Sequence, residues 1–361
     1  EVTASQWVEG DKNIVSGESL CRHLLYSRQW CAREMGLEPD AVKIAWECDT
    51  FGFCSTLPGI LQRGGVKRLY HHRTSPARHA GRASGELSQL TWLVGRDGSR
   101  VLTWDDAPHN YNREIKPDIA WELFNLERDT GLRSIMVVYG VGDHGGGPTR
   151  EHLRMAMRMQ EWPVWPMISL TTSDDFFSSV EREIEERGLD IPENREEINP
   201  VFPGCYTTET RIKFANRTAE NELLEAEALA LVAGGLCQMP YPAETLRAAW
   251  EHAMFIQFHD ILPGSGVRET VEHAMGMFQE ITAATGTVKT RALKMLADAI
   301  DTSAFGSAGD ADAGDPALGA GAGIGAYWTG VSEVSGGASG CDPYVVFNPA
   351  AFVRDELLRL R

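Results

Sequence analysis

Val42-Lys43-Ile44-Ala45-Trp46, followed by Glu47-Cys48-Asp49-Thr50-Phe51-Gly52, is the stretch on which the fold of this chain turns. Its first five residues alternate apolar and other side chains with β-branched enrichment, which predicts a short strand. The acidic pair Glu47 and Asp49 falls where that strand ends. Gly52 permits a sharp turn, and from Ser55 onward Leu57, Ile60 and Leu61 sit at helical spacing. A strand with an acid at its carboxyl end, a glycine turn and a helix is how α/β barrels and open α/β sheets present catalytic groups. The same pattern also describes an ordinary βα loop with a surface aspartate.

Working outward, the pattern repeats. Upstream, Ser16 caps a helix whose Leu20, Leu24, Leu25 and Trp30 recur at helical intervals. Downstream, Val66 to His71 is the next predicted strand, and Thr74 to Ser88 a polar loop rich in Arg and Gly. Leu90 to Trp104 reads as a hairpin around Asp97-Gly98, a dipeptide favoured in tight turns. A helix from Pro117 to Arg128, a strand Ile135–Tyr139, a helix ending at Gln160, a strand Val164–Thr171 and a helix from Ser173 to Arg187 follow. Strands alternating with helices over 41–187 predict a mostly parallel α/β domain.

Residues 188–207 are irregular. Three long helices then run through Ala233, from Ala243 to Phe258, and from Arg268 to Ile300, the pattern of an antiparallel bundle. Ser303 to Gly340 is Gly-, Ala- and Asp-rich with few large apolar residues, so a flexible linker is expected. Pro343–Phe347 and Leu357–Leu360 resemble strands. The expected organisation is an α/β catalytic domain over 1–200, with a parallel, (β/α)-barrel-like sheet, then a three-helix bundle over 201–302. A linker over 303–342 and the start of a β-sandwich region over 343–361 complete it.

Hydrophobic residues make up 43% and charged residues 24%, the balance of a globular protein with a sizeable core. Acidic residues number 51 against 34 basic, a net charge of −17, which argues against nucleic acid or an anionic membrane as partner. No apolar run approaches the roughly 20 residues of a membrane-spanning helix. The seven cysteines are dispersed and form no Cys-x-x-Cys pair, so reduced thiols and a cytoplasmic location are expected. Cys48 and Cys54 flank Asp49 and are read as small buried residues lining a turn rather than as nucleophiles.

Two further stretches carry chemistry. Gly140-Val141-Gly142-Asp143-His144-Gly145-Gly146-Gly147-Pro148-Thr149 places glycines around one Asp just before a helix. Such backbone must approach a ligand or take positive φ. It lacks the Gly-Lys-Ser/Thr ending of a P-loop and the Gly-x-Gly-x-x-Gly order of a dinucleotide site. Gln257-Phe258-His259-Asp260-Ile261-Leu262-Pro263-Gly264-Ser265 follows the second long helix, where a His-Asp pair could also simply cap the helix end.

Together these stretches resemble glycoside hydrolase family 38, the metal-dependent retaining α-mannosidases. Trp46 to Gly52 resembles its Trp-x-Pro-Asp-x-Phe-Gly segment, with Cys48 in place of Pro. The glycine loop is similar to its Gly-Asp-Gly-Gly-Gly-Gly-Pro-Thr loop, with His144 in place of a Gly. Gln257 to Ser265 fits its Asn/Gln-Phe-His-Asp-Ile-Leu-Pro-Gly-Ser motif at all nine positions. Trp7-Val8-Glu9-Gly10-Asp11 with Ser16-Gly17-Glu18-Ser19, and Gly204-Cys205-Tyr206-Thr207-Thr208 with Arg211, Asn216 and Arg217, resemble two more of its segments.

The resemblance implies that Asp49 is nucleophile and metal ligand, Asp143 the general acid/base, and His259 a metal ligand. It also implies that Asp260, Trp7, Glu9, Tyr206 and Arg217 lie by the substrate. One divalent ion is implied, Zn²⁺ first and Co²⁺ second, which suits carboxylate and imidazole donors. The implied partner is an α-mannoside or mannose-containing oligosaccharide, with self-association into a homo-oligomer left open. The family's His-x-Asp segment, which supplies two more metal ligands, has no counterpart here, so the chain is expected to be a piece of a longer enzyme. The rival expectation is a catalytically incomplete carbohydrate-binding or structural remnant. A different metal-dependent hydrolase on an α/β barrel is disfavoured, because no His-x-x-x-His site precedes Asp49.

Overall fold

The computed structural model describes residues 1–3, 5–38, 40–73, 89–106, 111–143, 145–199, 202–301, 345–348 and 352–355. The expected loop over 74–88, most of the expected linker over 303–342, and the expected strand Leu357–Leu360 lie outside them. Residues 345–348, at the end of the other expected C-terminal strand, form no strand.

Helix α1 spans Gly17–Met35. Ser16 Oγ accepts from the Ser19 amide at 3.1 Å, and Gly36 ends the helix at φ 65, where an L side chain would be strained. Strand β1 is Ile44–Glu47, helix α2 Leu57–Arg63, and strand β2 Arg68–His71. Strands β3 (Leu90–Val94) and β4 (Arg100–Asp105) form the expected hairpin, with Leu93 opposite Val101 and Gly98 at φ 82 in the turn. Helices α3 (Ile119–Thr130), α4 (Arg150–Gln160) and α5 (Ser173–Arg187) and a short strand β5 (Glu193–Asn194) follow. Thr172 caps α5, its side chain accepting from the Asp175 amide at 3.1 Å.

The sheet has the order β1-β2-β4-β3-β5. Strands β1, β2 and β4 are mutually parallel, β3 is antiparallel to β4, and β5 is parallel to β3. The α/β character is as expected, though the sheet is mixed. One of its faces is buried against α3 and α5 through Tyr70, Leu102, Trp104, Leu126, Phe177 and Val180. Trp46 stacks on Tyr70 with ring centroids 3.8 Å apart. Each such large apolar side chain, fully buried, contributes about 1.5–3 kcal/mol.

Two expected strands are not strands. Ile135–Tyr139 makes a single parallel bridge, between Arg113 and Tyr139, and Val164–Thr171 makes no ladder. Part of each run packs: Val137, Tyr139, Trp165 and Ile168 lie on Ile115, Ile119, Ala156 and Met159, whereas Val164, Met167 and Leu170 are exposed. An apolar run signals packing in part, and a ladder needs a backbone partner that packing does not supply.

By contact density the chain forms two compact units. The first comprises Glu1–Leu223 with Arg247–Ala283, and the second Leu224–Leu246 with Ala284–Arg361. The three long helices form as expected: α6 (Thr210–Cys237), α7 (Ala243–Ile256) and α8 (Arg268–Asp298). Within the second unit, Ala226, Leu229, Ala230, Met239, Val288 and Leu296 build an apolar core. A short 3₁₀ turn, Pro203–Thr207, precedes α6.

Within the first unit a buried polar knot ties α1 to the end of α7. Gln257 is fully buried; its Oε1 accepts from His23 Nε2 at 3.0 Å, and its Nε2 lies 2.9–3.2 Å from Asn216, Ser19 and Glu220. Burial, and then the nearby Lys12, push the His23 imidazole down to about 3. The folded-state value lies below the unfolded value of about 6.5, so the unfolded chain binds the extra proton. The neutral ring's contribution is therefore fully present above about pH 7 and is lost as pH falls from 6.5 toward 3. The expected slope from this group is at most about 1.4 kcal/mol per pH unit. Denaturant melts at pH 7.5, 6 and 5 check this, and a His23→Gln variant should show the shallower decline. An identical decline in the variant would mean that His23 does not titrate on unfolding.

Candidate active site

The parallel strands β1, β2 and β4 end at Glu47, His71 and Asp105, and the segments leaving these ends carry Asp49, Arg73 and Tyr111. Placing side chains from successive strand ends at one edge is the usual way an α/β sheet builds a site. Here they converge on Asp49. Its Oδ1 accepts from Arg73 Nε at 2.8 Å and also from Arg73 Nη2, and both carboxylate oxygens lie 3.3 Å from the Tyr111 hydroxyl. Partial burial, then the charges of Asp49 and Asp143, push the Tyr111 phenol up to about 12, so it remains a hydrogen-bond donor to Asp49.

The turn after Asp49 tolerates only glycine at residue 52. A Cβ there would lie 2.4 Å from the Ile198 carbonyl oxygen, because Phe53 pairs with Ile198 on the adjacent strand-like segment. Glu47, two residues back at the end of β1, does not line the cavity and is 1% exposed. Thr50 Oγ1 donates to it at 2.7 Å, Gln6 Nε2 donates as well, and the buried Lys12 ammonium stands 3.4 Å away. Burial pushes Glu47 up to about 7, against the pull of Lys12.

His259 arrives from the turn after α7 and is 6% exposed. Its Nδ1 donates to the Glu9 carbonyl at 2.7 Å; a carbonyl only accepts, so the neutral ring keeps its lone pair on Nε2. Asp260 is largely exposed, with Oδ2 3.7 Å from His259 Nε2. Asp143 sits in the glycine loop at φ 61, one of few non-glycine residues in the left-handed region. The loop is closed tightly: a Cβ on Gly140 would lie 3.1 Å from the backbone of Gly147. Asp49, Asp143, His259 and Asp260 line one cavity of about 310 Å³ together with Arg73 and Phe202. A larger cavity of about 630 Å³ lies between α1, α2 and the β3–β4 turn, away from these groups.

The other expected substrate contacts are placed elsewhere. Tyr206 donates to the buried Asp11 at 2.8 Å and accepts from Asn13 Nδ2 at 2.7 Å. Arg217 bonds the Ile14 carbonyl at 2.9 Å and pairs with Glu220 at 2.8 Å. Trp7 packs edge-on against Tyr26. Glu9 accepts from the Asp49 amide at 2.6 Å. None of the four lines the cavity, because each is engaged in fixing the segment 7–14 that runs behind it. Arg73 and Tyr111 went unrecognised in the sequence; Arg73 stands in a His-His-Arg run, and Tyr111 is 62 positions from the residue it contacts. Cys48 and Cys54, expected to be buried in the turn, are half-buried; desolvation, then Glu9 and Asp49, push the Cys48 thiol well above the ordinary range.

For a divalent cation the described donors are the Asp49 carboxylate and His259 Nε2. Among the described residues Asp49 Oδ2 takes the long Tyr111 bond alone, and the ring is oriented through its other nitrogen in the manner of metal-binding imidazoles. The donor chemistry fits such an ion. No group of three or more His, Cys, Asp or Glu forms a metal-holding cluster among the described residues. No described helix is long and apolar enough to cross a membrane.

Comparison with known proteins bears on the family of the chain. Residues 1–201 match the Glycosyl hydrolases family 38 N-terminal domain, and residues 201–296 the Alpha mannosidase middle domain. The chain is 29% identical over 277 residues to Alpha-mannosidase 2C1 of Mus musculus, covering 76% of this chain and 26% of that protein. It is 30% identical over 269 residues to an alpha-mannosidase of Saccharomyces cerevisiae, covering 72% of this chain and 24% of the relative. A crystal structure of an alpha-mannosidase from Enterococcus faecalis V583 superposes with a TM-score of 0.66 at 21% identity, over 83% of this chain and 34% of that one. The chain thus spans about a quarter of the length of the curated relatives it matches. Its matched residues place it plainly: the chain belongs to glycosyl hydrolase family 38.

Proposed function

We propose that this chain carries the catalytic half-site of a retaining α-mannosidase acting on α-mannosides or mannose-containing oligosaccharides. The observation that supports this best is the meeting of Asp49 and Asp143 in one cavity, with His259 and Asp260 also lining it. Asp49 is held by Arg73 and Tyr111 with its amide bound by Glu9, which fixes its direction for attack. In the first step an Asp49 oxygen forms a bond to the anomeric carbon while the bond to the leaving oxygen breaks, and Asp143 transfers its proton to that oxygen. In the second step Asp143 takes a proton from water, whose oxygen displaces Asp49. Bound between Asp49 and His259, a divalent ion, Zn²⁺ or Co²⁺, would supply electrostatic stabilisation of sugar hydroxyls.

Asp260, largely exposed at the cavity, is assigned to a sugar hydroxyl. The free state of the described cysteines supports a reducing, cytoplasmic setting. The domain boundaries proposed from the sequence, at 200, 302 and 342, stand beside the family matches that meet at residue 201. The test is hydrolysis of an aryl α-mannoside by a polypeptide that carries this segment at the length of its relatives. Retention of configuration and loss of turnover on chelation are expected. Inversion of the anomeric centre, or sugar binding without turnover, would overturn the proposal, the latter in favour of a carbohydrate-binding remnant.

A further inference from the structure

The segment Glu9–Asp11 runs antiparallel beside Gln257–His259. Gly10 bridges Phe258, the Asp11 amide donates to the Gln257 carbonyl at 2.8 Å, and the His259 amide donates to the Glu9 carbonyl at 3.2 Å. Gly10 is matched to this approach, since a Cβ there would lie 3.0 Å from the Gln257 carbonyl oxygen and 3.4 Å from the His23 ring. The close pairing places the Glu9 carbonyl under His259 Nδ1 at 2.7 Å. The Glu9 side chain extends the other way, to the β1 loop, where Oε1 accepts from the Asp49 amide at 2.6 Å and lies 3.4 Å from Thr50 Oγ1. One residue therefore touches both Asp49 and His259, with its main chain on one and its carboxylate on the other. Charge-assisted bonds from a carboxylate to a backbone amide are about twice as strong as neutral ones, so this is the firmer of the two grips.

From this geometry we infer that Glu9 is a positioning residue. It braces Asp49 and His259 as a pair and holds the His259 ring in the tautomer that leaves Nε2 available. For metal binding the inference rests on the assignment of Asp49 and His259 as the metal-holding pair; for the ring itself it does not. The sequence resemblance had set Glu9 beside the substrate. In the structure its carboxylate does not line the cavity and is bonded to the backbone that carries the nucleophile.

Two measurements on Glu9→Ala and Glu9→Gln test the brace. In the metal-free protein, long-range proton–nitrogen NMR spectra of labelled histidine report which His259 nitrogen carries the proton. Both variants keep the Glu9 carbonyl that accepts from Nδ1, so the spectra ask whether the carboxylate's grip on the Asp49 amide is what holds that carbonyl in place. The wild type should show the Nδ1–H form, Glu9→Ala a shift toward a tautomer mixture as the carbonyl drifts, and Glu9→Gln, which keeps an acceptor oxygen at the same reach, the wild-type pattern. In Co²⁺ titrations followed by visible absorption, Glu9→Ala should bind about 10–100-fold more weakly, the usual effect of losing a partner that orients a ligand, with Glu9→Gln restored to near wild type. Thermal melts should place both variants close to wild type, so that the losses are not those of an unfolded protein. An unchanged ring spectrum together with unchanged Co²⁺ affinity in Glu9→Ala overturns the brace. So does a Glu9→Gln variant as impaired as Glu9→Ala, which would mean a long-range charge effect. Asp49→Asn serves as the control. If it too binds Co²⁺ like wild type, the metal assignment fails by itself, and the ring spectra alone decide whether Glu9 positions His259.

Discussion

Asp49→Asn is expected to abolish turnover of mannosides, by roughly 10⁴–10⁶-fold, the range seen when one member of an interdependent catalytic set is removed. The substitution keeps volume and leaves one oxygen that Arg73 and Tyr111 can still bond, but an amide cannot form a glycosyl ester. Labelling separates this loss from a loss of binding. With a slow fluorinated mannosyl fluoride, an Asp49 oxygen should bond to the anomeric carbon as fluoride leaves, and the tagged peptide should contain Asp49. Glu47 is the nearby carboxyl that could confuse the assignment. It is buried, bonded to Thr50 and Gln6 beside Lys12, and does not line the cavity. A tag on Glu47 would mean that Glu47 and not Asp49 is the nucleophile, and would overturn the placement of the reacting carboxylate in the cavity.

The second large effect is a contrast rather than a loss. Asp143→Ala should depress hydrolysis of mannosides with poor leaving groups by about 10²–10⁴-fold, the usual worth of general-acid catalysis. Activated aryl mannosides, whose phenolate departs without a proton, should lose far less in their first step. The structural basis is the position of Asp143 on a strained, glycine-flanked loop at the cavity with no side-chain partner fixing it elsewhere among the described residues. Strain of this kind costs about 1–3 kcal/mol and persists where surrounding structure compels it. Steady-state rates across a series of aryl leaving groups check the contrast, which should appear as a steeper dependence on leaving-group acidity in the variant. Equal losses across the series would give Asp143 a structural role and move the acid to Asp260.

Much of the frame was legible because it rests on local chemistry. Ser16 marks the start of α1 and Asp97-Gly98 makes the hairpin. The carboxylates Asp49 and Asp143 and the imidazole of His259 were legible through motifs whose residues really do share a cavity. What was hidden depends on long-range pairing. Arg73 looks like one more cation beside a polar loop, and only the parallel register of β1 and β2 brings it to Asp49. Trp7, Tyr206 and Arg217 lie in segments that resemble the family's, yet resemblance of a segment does not say which of its side chains face the cavity. Ile135–Tyr139 is apolar enough for a strand, and its lack of a ladder is decided by neighbours that no local pattern describes.

The bond between His259 and Glu9 joins residues 250 positions apart. During synthesis at about 5–20 residues per second, Glu9 leaves the ribosome roughly 12–50 seconds before its partner. In that interval Asp49 can already be gripped by the Glu9 carboxylate, since only 40 positions separate them. The Glu9 carbonyl, by contrast, has nothing to hold. The nascent α/β segment must therefore wait with an open seam along Glu9–Asp11, an unpaired strand edge of the sort that invites association with other chains. Closing it late carries the loop-closure entropy of a long separation, which delays the event more than it weakens the result. The cavity wall that His259 supplies therefore cannot form before residue 259 has been made, however early the Asp49 side is in place.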